Sequence, residues 1–327
     1  INVSSIVVGL TVSIFLVLYL KWKVTGALIA MLSTSVYKII LYAGVSNKNF
    51  LFIKPANRIS KELLSYGLPV IPHKIQGQVI SMFTAFVINQ KLGIAAAGLY
   101  AVASKLGKPI SFFVTIIHQS WVPFKFQIHK TDTNPSKIFK EITSFYVLII
   151  FSMWAVLSIL TPTFFHLLIA KKYWSGIGLT PFIMFISVCQ GIYYMVTTGF
   201  ELSSKQRMMF QASFWGMISL IILSFITLEF HPPYSFIVAQ AFAYVVIGYF
   251  VLPEARRQII IDYPVVPYLL IFMSSAINVV VFYSLNNSVS GILIHLLIQL
   301  VITLTTFKFL FKTYSLSFLM KRIKKNG

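Results

Sequence analysis

Residues 62–111 read ELLSYGLPVIPHKIQGQVISMFTAFVINQKLGIAAAGLYAVASKLGKPIS. Two apolar runs, placed at Leu63–Ile88 and Ile94–Trp121, flank the polar NQKLG at 89–93. Each exceeds the roughly 20 residues that cross a bilayer as a helix. The first run opens on Gly67, Pro69 and Pro72, with His73 and Lys74 directly behind and Gly77 soon after. Proline inside a helix removes a backbone donor and costs about 3 kcal/mol. The expectation here is a bend at Pro72 and Gly77, forming an entry gate with Lys74 at its mouth. Pro109 marks a second kink in the following run.

Composition extends this reading to the whole chain. Of the 327 residues, 57% are hydrophobic and 10% charged, against roughly 25% charged in soluble domains. The mean hydropathy is +0.84. An all-α polytopic membrane protein follows, with ten spans: Val3–Leu20, Val24–Tyr42, Leu63–Ile88, Ile94–Trp121, Phe145–Leu160, Ile177–Phe200, Met209–Leu228, Tyr234–Leu252, Val265–Leu285 and Val289–Phe307. The net charge of +20 reflects topology, since cytoplasmic loops collect Lys and Arg. Assigned to alternate sides, 18 basic residues fall on one face of the membrane, among them Lys125, Lys130, Arg256 and Arg257, and 5 on the other. The richer side is expected to be cytoplasmic, and both ends of the chain then lie there. With no soluble domain, nucleic acid is not an expected partner.

Four lysines remain: Lys38, Lys74, Lys105 and Lys108. A lysine at the centre of a spanning helix costs about 2.5–3.5 kcal/mol. Lys38 and Lys74 either snorkel to a headgroup or face a cavity. Lys105 and Lys108 lie deeper and, three apart, share a helix face. Every Asp and Glu falls in a loop or near a span end, so an anionic substrate is the natural counter-ion. His73 and His118 are the candidates for proton coupling, although a hydrogen-bonded helix histidine is the commoner use. No HxH or HExxH occurs, so neither a metal nor another cofactor is expected. The single cysteine, Cys189, excludes an internal disulfide. There is no phosphate-binding loop and no GxSxG, so no enzyme is expected. The segment 161–176, with paired lysines and aromatics, fits an interfacial helix or an anchored loop, and the tail from Phe307 fits an amphipathic segment on anionic lipid.

The stretch 62–111 also resembles the start of the second lobe of polysaccharide flippases of the multidrug/oligosaccharidyl-lipid/polysaccharide exporter superfamily. The resemblance rests on Tyr66-Gly67-Leu68-Pro69 and Pro72, then Leu92-Gly93, Gly98, Tyr100, Ala103, Lys105 and Leu106. QSWVPFKF (119–126) and the region 170–207 continue it. It implies spans five to fourteen of a fourteen-helix fold, in a chain truncated at its N-terminal side. Residues 1–43 would be the last two helices of the first lobe and 44–61 a cytoplasmic linker. Residues 62–254 would form a six-helix lobe, and 255–327 two additional helices and a basic tail.

The implied function is translocation of undecaprenyl-pyrophosphate-linked oligosaccharide (an O-antigen, capsule or exopolysaccharide unit) across the bacterial inner membrane. Lys105 and Lys108, with Lys74 and Lys38, would meet the pyrophosphate. Tyr100, Gln76 and Gln78 would meet sugar. Implied partners are the lipid-linked oligosaccharide, membrane lipids, a polysaccharide polymerase and a chain-length regulator. A drug or metabolite antiporter of the same superfamily, and an O-antigen polymerase or ligase, remain alternatives. One departure stands out: the family commonly carries Asp-Arg nine residues before the Leu-Gly glycine, where this chain has Thr84 and Ala85.

Overall fold

A computed structural model describes residues 2–45, 61, 64, 67–68, 70–202, 206–227, 234–285 and 289–312. All regular structure among them is helical, and the chain divides into two compact units, Ile1–Leu63 and Leu64–Gly327. It is a multi-pass membrane protein. Among the described residues, eight helices meet the length and hydropathy needed to span a bilayer. One of these, Gly77–Thr131, covers parts of both the third and fourth expected spans, and a further apolar helix, Ser4–Tyr19, falls short of that length where the first span is expected.

The first unit is a helical hairpin. Helix α1 (Asn2–Ile14) runs on through a π-helical turn at Phe15–Tyr19, and α2 (Lys23–Val45) returns. The reversal is tight: Lys21 and Lys23 both take positive φ, 54° and 44°. Close helix approach is set by Gly9, where a Cβ would stand 2.4 Å from the Thr34 hydroxyl. Large apolar side chains such as Leu18 and Leu32 point outward, as lipid-facing positions require.

The second unit opens on α3 (Val70–Thr131), which is two helices joined at one residue. Gly93 has φ 84° and ψ 171°, a conformation essentially confined to glycine. It separates α3a (70–92) from α3b (94–131). The break thus lies at Gly93, whereas the bend is expected at Pro72 and Gly77. Pro72 falls in the first turn of α3, where its missing N–H has no intrahelical partner to lose, and the backbone stays helical through Gly77. Pro109 and Pro123 lie inside α3b without a non-helical residue beside them. Gly67 and Leu68 form a turn closed by the Leu68 N–H to the Leu64 carbonyl, 2.9 Å. Pro69 lies outside the described residues.

The remaining helices are α4 (Pro135–Leu168), a 3-10 segment (Lys171–Leu179), α5 (Thr180–Val196), α6 (Thr198–Glu201), α7 (Gln206–Ile226), α8 (Tyr234–Gln258), α9 (Val265–Ser284) and α10 (Val289–Lys312). Helix α4 begins ten residues before the expected Phe145 because Asn134 caps it, accepting from the Lys137 N–H at 3.2 Å, with Pro135 following. This is the standard pairing of an Asx cap with proline in the first turn. The segment 161–176, expected as one interfacial helix or loop, is divided: 161–168 are the last turns of α4 and the 3-10 helix begins at Lys171, steadied by Trp174 Nε1 donating to the Ile169 carbonyl at 3.1 Å and by Lys172 over the Tyr173 ring at 5.0 Å.

The core of this unit sits on α4, which carries Phe139, Ile150, Ala155 and Ile159 at zero exposure. Polar clips fasten α9 and α10 to it. Tyr268 and Ser144 share a hydrogen bond of 2.8 Å, the Tyr283 hydroxyl donates to the Ser158 carbonyl at 2.9 Å, and Ser152 meets Thr303 at 2.8 Å. Between α9 and α10, Asn278 Nδ2 donates to the His295 carbonyl at 3.1 Å and to Gln299 Oε1 at 3.2 Å. His295 Nδ1 faces Asn278 Oδ1 at 2.7 Å, and Gln299 Nε2 donates to Ser275 at 2.9 Å. Interhelical bonds of this kind contribute about 0.6 kcal/mol each on average in membranes, up to about 1.7. His295 is thus a structural histidine.

Helix α6 leans on α8 through glycine. A Cβ at Gly199 would stand 2.3 Å from the Ala255 carbonyl oxygen and 2.9 Å from Ile259 Cγ2. The first obstacle is backbone and cannot rotate away. Gly199→Ala is expected to destabilise the unit by about 1–3 kcal/mol, read as a lowered unfolding midpoint in detergent. An unchanged midpoint would show that α6 is free to move off α8.

Candidate functional site

Two polar features of α3 carry the chemistry, one exposed and one buried. The exposed one is a face of α3b. Lys105, Lys108, Phe112, Thr115 and Gln119 are all exposed, and their 3-4-3-4 spacing puts them on one stripe. The neighbouring Ala103, Gly107, Ile110 and Val114 turn inward. Pro109, with no N–H, leaves the Lys105 carbonyl without its helical donor, so the stripe gains an acceptor among its cations. Among the described residues neither Lys105 nor Lys108 has a carboxylate within ion-pair distance. Helix α3a carries a comparable exposed stripe of Gln78, Ser81, Ala85 and Asn89.

Such faces do not suit hydrocarbon, where each unsatisfied polar group costs several kcal/mol. They suit a water-filled cavity. The expected pair Lys105 and Lys108 is brought together here, with Gln78 on the companion stripe of α3a. Lys38 is half-buried on α2. Lys74, His73 and Gln76 occupy the first turns of α3, and their side chains lie outside the described set.

Tyr100, expected to meet sugar, does not lie on this face. It is buried, and Gln240 Nε2 of α8 donates to its hydroxyl at 3.3 Å. The same Gln240 nitrogen donates to the Thr84 hydroxyl. Thr84 is therefore part of a neutral hydrogen-bonded packing contact whose hub is Gln240.

The buried feature lies near the other end of α3b. His118, Trp121 and Lys125 follow one another on the inward stripe with Val114 and Ile128. Opposite them, the chain breaks at Thr197, where φ is −90° and ψ 14°. The Thr197 hydroxyl donates back to the Tyr193 carbonyl and that of Thr198 to Met195, both at 2.7 Å. This diverts the helix into the short α6 and aims Glu201 at α3b. Glu201 pairs with Lys125, whose side chain has zero exposure, and with His118 Nε2 at 3.2 Å. Trp121 Nε1 donates to Thr198 at 2.9 Å. The His118 ring stacks on Tyr194, centroids 3.9 Å apart, and Gln190 Nε2 donates to the Tyr194 hydroxyl at 3.1 Å. Lys125 was expected in a cytoplasmic loop after a span ending at Trp121. It is instead inside the helix, and its carboxylate partner lies 76 residues away in sequence.

Comparison with known proteins bears on the fold. A family model described as "Polysaccharide biosynthesis protein" matches residues 1–129. Among solved structures, lipid II flippase MurJ in an inward closed conformation matches at 15% identity with a TM-score of 0.62, covering 94% of this chain and 66% of that one. The chain therefore spans about two thirds of that structure's length, and the likeness establishes the fold. No curated protein matches.

Proposed function

Taking the chain as a polysaccharide-flippase-type protein of the multidrug/oligosaccharidyl-lipid/polysaccharide exporter superfamily, we propose that it translocates an undecaprenyl-pyrophosphate-linked oligosaccharide, a repeat unit of O antigen, capsule or exopolysaccharide. The path runs from the cytoplasmic to the periplasmic side of the bacterial inner membrane, by alternating access. The observation that carries this reading is the exposed stripe holding Lys105 and Lys108 without carboxylate partners among the described residues. A pyrophosphate entering a low-dielectric slab loses hydration worth many kcal/mol, and fixed opposite charge replaces it. Thr115, Gln119, Gln78 and Asn89 supply hydrogen-bonding groups for sugar hydroxyls. Lys74 and Lys38 remain proposed at the margins of the path.

The buried cluster supplies a coupling group. Glu201, held by Lys125 and His118 with Tyr194 stacked alongside, gives His118 the carboxylate that a proton-carrying histidine needs. His118→Gln is expected to remove the dependence of transport on a proton gradient while leaving substrate binding in place. Retained gradient dependence would assign coupling elsewhere. The transport reading itself is tested by expression in a flippase-deficient strain. Restored surface polysaccharide with loss of the accumulated lipid-linked precursor supports it, and precursor that still accumulates beside correctly inserted protein contradicts it.

A further inference from the structure

We propose that a cleft where α8 ends and α9 begins holds the headgroup of an anionic glycerophospholipid. The cleft encloses about 630 Å³ and is lined by Arg256 and Arg257, by Asp262 and Tyr263 of the connecting segment, and by Val265 and Tyr268 at the start of α9. Its volume falls in the range of small-molecule sites, about 300–1,000 Å³.

The two arginines are not equivalent. Arg257 Nη1 reaches Glu254 Oε2 at 3.5 Å, and Glu254 is 4% exposed, so Arg257 is tethered. Arg256 is exposed with no carboxylate in ion-pair distance among the described residues, leaving its planar five-donor fork for a phosphate. The aromatic wall is fixed from behind. The Tyr263 hydroxyl donates to the Met195 carbonyl at 3.4 Å, and Tyr268 is bound to Ser144 at 2.8 Å.

Three observations select a lipid over a soluble anion. The mouth is apolar beside the charge, with Ile260 exposed by 73% and Val265 by 59%, which a free phosphate does not need and an acyl chain does. The cleft lies at helix ends on the side that the Lys and Arg count assigns to the cytoplasm, and on that assignment it faces the leaflet where anionic phosphodiesters concentrate. Tyrosines at the ends of spanning helices, as Tyr263 and Tyr268 are here, are the usual partners of the headgroup layer. Asp262 would repel a bare anion, but its carboxylate accepts from the hydroxyls of a glycerol headgroup. That favours phosphatidylglycerol over phosphatidic acid.

This proposal does not rest on the transport reading. The test is native mass spectrometry of the whole chain purified with phosphatidylglycerol and phosphatidylcholine. Arg256→Gln with Arg257→Gln is expected to lower the retained phosphatidylglycerol about tenfold and leave phosphatidylcholine unchanged. Lys130→Gln, an exposed charge on the same side, is expected to have no such effect. Val265→Trp fills the cleft without touching charge and is expected to expel the same lipid, which separates occupancy from general electrostatics. The proposal is overturned if the arginine variant retains as much phosphatidylglycerol as Lys130→Gln. It is also overturned if both lipids are held alike, or if millimolar inorganic phosphate displaces the lipid.

Discussion

Glu201→Leu is expected to destabilise the Leu64–Gly327 unit by about 3–5 kcal/mol, the cost of stranding one member of a buried ion pair. Lys125, whose side chain has zero exposure, would lose the carboxylate it pairs with in the described residues, and water cannot reach it to take over that role. Glu201 itself is 16% exposed, and the reverse change, Lys125→Met, is expected to cost less because its carboxylate keeps some hydration and the His118 contact. Removing both charges, Lys125→Met with Glu201→Leu, is expected to recover most of the loss, since paired burial of charge is seldom better than apolar packing. Thermal unfolding of the detergent-solubilised chain measures all three. A double variant as unstable as the sum of the singles would mean that the two residues act independently. The cluster would then be no clasp between α3b and α6.

Lys105→Ala with Lys108→Ala is expected to cut export by at least about 100-fold while leaving insertion intact. Two charge-assisted hydrogen bonds to a pyrophosphate contribute about 1.5–3 kcal/mol each, and a loss near 3 kcal/mol is about a 100-fold change. Insertion is not expected to suffer, because a lysine in a span opposes insertion rather than aiding it. Both side chains are exposed, so no packing is lost. Lys105→Arg with Lys108→Arg keeps the charge and is expected to retain most export. Surface polysaccharide and accumulated precursor, measured against membrane-fraction protein, separate a transport defect from an insertion defect. Normal export by the alanine pair would remove the lysines from the path.

Much of this architecture is legible in the sequence because bilayer length and charge asymmetry are local, additive signals. The ten apolar segments, the short links and the shared face of Lys105 and Lys108 all come from spacing alone. The buried cluster is not legible in the same way. Glu201 reads as a loop residue in GFELSSKQR, and only the break at Thr197 turns it toward α3b. A trace did exist, since Val114, His118, Trp121, Lys125 and Ile128 keep the 4-3-4-3 spacing of one inward face, with a lysine where a core residue belongs. The effect of Pro72 depends on whether it lies in a helix's first turn, and that start is set by the fold rather than by local sequence. Gly93 was the better sign of a break, since its conformation is closed to other residues. The surroundings of Tyr100 are not legible either, because a tyrosine in a span serves packing or substrate equally well and its neighbours Gln240 and Thr84 are distant in sequence.

The central claim is that the Lys105 stripe faces water and substrate. With Cys189, the sole cysteine, replaced by serine, single cysteines at 105, 108, 115 and 119 can be labelled in intact membranes with a charged maleimide. Ile294→Cys on α10, exposed by 54% among apolar neighbours, is the lipid-facing reference. Labelling of the four stripe positions at least about tenfold faster than the reference, slowed at 105 and 108 by added undecaprenyl-pyrophosphate oligosaccharide, is the predicted result. Labelling no faster than at 294 would place the stripe against lipid and contradict the account.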